Sequence, residues 1–157
     1  MCSSAVKSKA LKSVYALLLL VAACAAEELL PDFLRVGFPV LLSLALVYAR
    51  KRTLAATILF AVAAGAMEES ISALPVFTSA GYFLLASLLT RFIALDLLSA
   101  LLTFPFYQLY LVIWSEADGW SFCLPALLAL PLGALTYYAV LSLMTFLDKW
   151  SAVDELE

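Results

Sequence analysis

Not one histidine occurs among the 157 residues of this chain. That removes the side chain most often used for proton transfer and metal ligation near neutral pH. The three cysteines, Cys2, Cys24 and Cys123, form no CxxC pair, so neither a zinc nor an iron–sulfur site is expected. Charge is scarce as well: 9 basic and 12 acidic residues make up only 13% of the chain, for a net charge of −3. No nucleophile–base pair, phosphate loop or metal-ligand set can be picked out. The expectation is therefore a protein without catalysis, without a cofactor and without a nucleic-acid partner.

What is present is oil. Hydrophobic residues make up 66% of the chain, and its mean hydropathy is +1.06. A water-soluble domain is about half apolar. The excess is spread along the whole chain, which points to a bilayer as solvent and to helices of about 20 apolar residues as the element. Runs such as "LLLLVAACAA" lack the alternation of a barrel strand. Six apolar segments are predicted, at roughly 11–26, 33–49, 53–67, 73–90, 97–114 and 120–147. The connectors "EELLPD", "RKR", "EES", "RFIALD" and "SEADG" are short and charged. Short connectors make sequential helices antiparallel neighbours. The expected architecture is one all-α transmembrane domain with no soluble head.

Charge placement orients it. Lys7, Lys9 and Lys12 precede the first segment, Arg50, Lys51 and Arg52 follow the second, Arg91 follows the fourth, and Lys149 follows the sixth. With six spans and a cytoplasmic N-terminus these eight all face the cytoplasm, and only Arg35 lies outside. The positive-inside rule thus predicts cytoplasmic N- and C-termini. Aromatic residues agree: Trp114 and Trp120 flank the last outer turn, while Tyr15, Tyr48 and Trp150 sit at inner ends.

The stretch "AVAAGAMEESISALPV" places Glu68 and Glu69 side by side in this apolar surrounding. Arg52 and Arg91, both anchored to the cytoplasmic face, leave 38 residues between them. A hairpin that crosses about 30 Å twice needs roughly 40 residues. The glutamate pair is therefore expected at the tip of a tight hairpin. A solvated turn, a recessed tip packed on neighbouring helices or a partner, and an ion or proton site all remain open. On a helical path Gly65, Glu69 and Ser72 share one face, and Glu68 points about 100° away from Glu69. That makes Glu69 the contact half of the pair and Glu68 the solvated half.

Other features are weaker. "VAAC" at 21–24 has the form of a lipoprotein cleavage box, but five apolar segments follow it, so an uncleaved first span is expected. Alanines 16, 22, 23, 25 and 26 suit close helix packing. Pro105 and Pro131 lie inside apolar runs and are expected to kink them. Thr103, Tyr107, Gln108, Thr136 and Tyr137 suit either a cleft lining or interhelical hydrogen bonds, the second being the more economical. Thr53 and Asp96 read as helix N-terminal groups.

The central third resembles the family of the rod-shape-determining protein MreD. "FPVLLSLALVY", through Pro39, matches the family's early proline and apolar run. "GAMEESISALP" is similar to its second pattern, with Gly65, Glu69 in place of the usual aspartate, Ser72 and Pro75. It departs at Ala73, where a glycine is usual, and at the extra Glu68. The resemblance covers about residues 36–90. It implies a non-catalytic scaffold of the bacterial cell-wall elongation machinery in the cytoplasmic membrane. The implied partners are an MreC-like protein and, through it, MreB, RodA and the elongation transpeptidase. It also implies partner contact at Gly65, Glu69, Ser72 and Pro75, and a fold similar to the six-helix substrate-binding subunits of energy-coupling-factor transporters. A vitamin-binding transporter subunit is accordingly the rival expectation. It would require a roomy outward pocket with convergent polar groups.

Overall fold

The computed structural model describes residues 2–29, 39–72, 75–92, 97–115 and 123–153. Arg35, Ala73, Asp96, Glu116–Gly119 and Trp120 lie outside the described residues, as do the side chains of Lys7, Lys9, Lys12, Ser72, Trp114, Cys123, Lys149 and Trp150. Among the described residues the chain is all helical. Its six helices are α1 (Cys2–Leu29), α2 (Val40–Lys51), α3 (Leu54–Ser72), α4 (Thr78–Phe92), α5 (Leu97–Ser115) and α6 (Cys123–Val153). Two of them, α3 over Leu54–Ile71 and α6 over Pro125–Asp148, are long and apolar enough to cross a membrane.

The helices follow the six predicted segments, with shifted bounds. One shift concerns the glutamate pair. The segment was expected to end at residue 67, yet α3 runs on to Ser72 and carries both glutamates in its last turns. The turn lies beyond them, where the Pro75 carbonyl accepts the Thr78 N–H at 3.2 Å. Phe77 takes a left-handed φ of 69° there, a conformation that costs a residue with a Cβ about 1 kcal/mol or more. Helix α3 continues because nothing in "AMEESIS" stops it; proline first interrupts the chain at Pro75.

Helix α2 is the axis of the fold. Each residue from Leu41 to Ala49 is buried, because α2 packs against α1, α3, α4 and α6 together. A helix apolar on all sides is stable only when surrounded. Leu41, Leu42, Leu46 and Val47 form the centre of a core that takes in Phe83 of α4, Phe104 of α5, and Tyr137 and Met144 of α6. Helices α3 and α4 form one hairpin and α5 and α6 another. Pro105 and Pro131 stay within α5 and α6, which continue past them. Gly133 of α6 lies so close under the Phe104 ring that a methyl group there would overlap it.

Polar side chains inside the bundle join helices to one another. Ser43 of α2 donates to Thr136 of α6 at 3.0 Å. Tyr107 of α5 and Ser79 of α4 are bonded at 2.7 Å, and the Tyr82 hydroxyl donates to the Thr103 carbonyl at 2.6 Å. The outside is different. Leu18, Leu59, Leu85, Phe106, Leu127 and Leu135 are more than half exposed, so apolar surface faces outward on every helix except α2.

Candidate functional site: two glutamate-closed helix ends

A helix leaves its first four N–H groups without partners. In α4 two such groups are met by α3. Glu69 accepts the Phe77 N–H with one carboxylate oxygen and the Ala80 N–H with the other, each at 2.9 Å. A negative group at this position also opposes the positive end of the helix dipole. Four residues earlier on the same face, Gly65 lies against the α4 backbone. A Cβ on Gly65 would fall only 2.5 Å from the Ala80 nitrogen, closer than real Cβ atoms approach. Glycine therefore sets the separation of α3 and α4, and Glu69 uses that closeness to reach Ala80.

The same device recurs at α2. Pro39 supplies no side-chain cap, and Glu27, near the end of α1, accepts the Leu41 N–H at 3.0 Å instead. Glu68 lies close enough to Glu27 for the two carboxyl groups to feel each other's charge. Burial, with the Glu68 charge next, raises Glu27 above the usual carboxylate range. Glu68 and Glu69 thus part company as the helical geometry requires. Glu69 turns to α4, and Glu68 turns to α1. The expectation that Glu68 is the solvated half is corrected: it is half-buried and its charge acts on Glu27. Nothing local to "MEES" announces Glu27, which comes from a different helix. The signal open to sequence reading was the pair of glutamates at the far end of the first apolar run.

Of the residues proposed to contact a partner, Gly65 is buried, Glu69 half-buried and Pro75 exposed. Gly65 and Glu69 are brought together on α4, and Pro75 shapes the turn. At the opposite end the structure gathers four of the predicted anchor positions. Arg91 of α4 donates to the carbonyls of Ala49, at 3.2 Å, and Arg52, closing the C-terminus of α2. Lys51 and Arg52 each bond to Asp148 of α6 at 3.0 Å. Arg50 lies over the Tyr137 ring. Cys24 carries a free thiol. No family model, curated protein or solved structure matches this chain.

Proposed function

We propose that this chain is an MreD-like, non-catalytic membrane scaffold of bacterial cell-wall elongation. In this reading all six helices cross the cytoplasmic membrane with both termini inside. The chain holds an MreC-like protein and, through it, MreB, RodA and the elongation transpeptidase. The observation that carries the reading is the joint role of Gly65 and Glu69. Two of the four residues that carry the second part of the resemblance are the two that lock the α3–α4 hairpin. A motif that builds a rigid hairpin suits a protein whose work is to present a fixed surface. The apolar exterior of five helices supports a bilayer surround, since exposed apolar patches of this extent mark membrane or protein contact. Clustering of Arg50, Lys51, Arg52 and Arg91 at one end supports the N-in orientation.

The test is affinity purification of the tagged chain from native membranes. Co-purification of an MreC-like protein is expected. Recovery of a transporter ATPase in its place would refute the scaffold reading, and recovery of the chain in the soluble fraction would refute the membrane reading.

A further inference from the structure

At the basic end a cleft of about 570 Å³ opens between α1, α2 and α3. Its lip carries Lys51 and Arg52, and its walls include Tyr15, Ala56, Phe60 and Ala63. We infer that the cleft seats one acidic phospholipid, with the phosphate at Lys51 and Arg52 and an acyl chain along α3. The inference rests on the membrane reading above.

Charge favours such a headgroup. Lys51 and Arg52 share the single carboxylate of Asp148, so the three groups together carry one net positive charge. The Lys51 ammonium donates to Asp148 at 3.0 Å and to Thr145 at 3.1 Å, which occupies two of its three donors. Arg52 gives one bond to Asp148 at 3.0 Å from a guanidinium with five, and that guanidinium lies 5.9 Å above the Tyr48 ring. The Tyr15 hydroxyl is buried without a hydrogen-bond partner and lies within the fields of Asp148 and Arg52. A phosphate oxygen at the lip would accept from the remaining donors of Lys51 and Arg52.

Dimensions favour a chain behind that headgroup. Thr53 to Ala63, the α3 wall of the cleft, covers about 15 Å at helical rise, half the ~30 Å hydrocarbon core. This is the depth of one leaflet, with the basic lip at headgroup level. A free phosphate would use the lip and leave that apolar wall unfilled. Ala56 and Ala63 leave the width that a single flexible chain needs.

The test uses the purified full-length chain in detergent. It is mixed with phosphatidylglycerol or phosphatidylcholine of identical acyl chains and read by native mass spectrometry. One retained phosphatidylglycerol per chain is expected, at least tenfold over phosphatidylcholine. The K51Q/R52Q double variant should reduce phosphatidylglycerol retention to the phosphatidylcholine level. Ala56→Phe keeps every charge and fills the slot, and it should lower phosphatidylglycerol retention at least tenfold. Wild-type thermal stability, which depends on no variant, should rise more with phosphatidylglycerol than with phosphatidylcholine. Equal retention of the two lipids by wild type would overturn the inference. So would undiminished retention by A56F, displacement of the lipid by millimolar inorganic phosphate, or a lipid-free dimer mass showing a second copy in the cleft. A chain that pellets with alkaline-washed membranes but shows no headgroup preference loses this inference and keeps the membrane reading.

Discussion

Replacing Glu69 with alanine tests the hairpin most directly. The change removes both acceptors that close α4, each 2.9 Å from its N–H. A hydrogen bond to a charged group contributes about 1.5–3 kcal/mol. The Phe77 bond is exposed, so the low end applies to it, and water can replace part of that loss. The Ala80 bond is partly buried against Gly65 and has no such replacement. Glu69→Ala should therefore cost about 3 kcal/mol, and Glu69→Gln, which keeps one acceptor, about half of that. The assay is equilibrium unfolding in mixed micelles, followed by helicity as the denaturing detergent fraction rises. Glu28, an exposed carboxylate near the end of α1, is the control, and Glu28→Gln should change stability by less than about 0.5 kcal/mol. An E69A protein as stable as that control would refute the capping argument. Loss of partner binding at unchanged stability would return Glu69 to direct contact with a partner.

Other expectations follow from the same geometry. Gly65→Ala should destabilise by about 2 kcal/mol or more in the same unfolding assay, because α3 and α4 must separate. Gly81→Ala should be neutral or stabilise by up to about 1 kcal/mol, since open space surrounds Gly81 on α4. Glu27 binds its proton more tightly folded than unfolded, so stability should be full below the ordinary carboxylate value of 4.5 and fall as pH rises above it. Unfolding measured from pH 5 to 8 should show that decline, and Glu27→Gln should flatten it. Ser43→Ala removes a buried α2–α6 bond and should cost about 1 kcal/mol by the same measurement.

Much of this arrangement was legible in the sequence, for identifiable reasons. Apolar run length and charged connectors place six helices, and the one-position offset of Glu68 and Glu69 already forces them onto different faces. Thr53 was read as a helix N-terminal group, and it immediately precedes α3. Thr136 and Tyr107 were expected to bond between helices, and they do. What escaped depends on tertiary packing. The apolar run of α2 carries no period that marks it as the surrounded helix. The exit of α3 was drawn too early, because carboxylates beside an apolar run read as a boundary although glutamate is a good helix former. The partners of Glu27 and Lys51 lie 14 and 97 positions away, beyond the reach of any local pattern.

On the membrane reading proposed above, one consequence concerns how the molecule meets bilayers of different thickness. Helix α2 is held at its N-terminus by a carboxylate from α1 and at its C-terminus by a guanidinium from α4. Sliding α2 along its axis would break one of these bonds, so it acts as a strut of fixed height, about 18 Å over its 12 residues. Helices α3 and α6 are longer than that strut, and their outer faces are free. In a thinner membrane those two would lean while α2 stays upright, so hydrophobic mismatch would be converted into splay of the periphery around a constant centre.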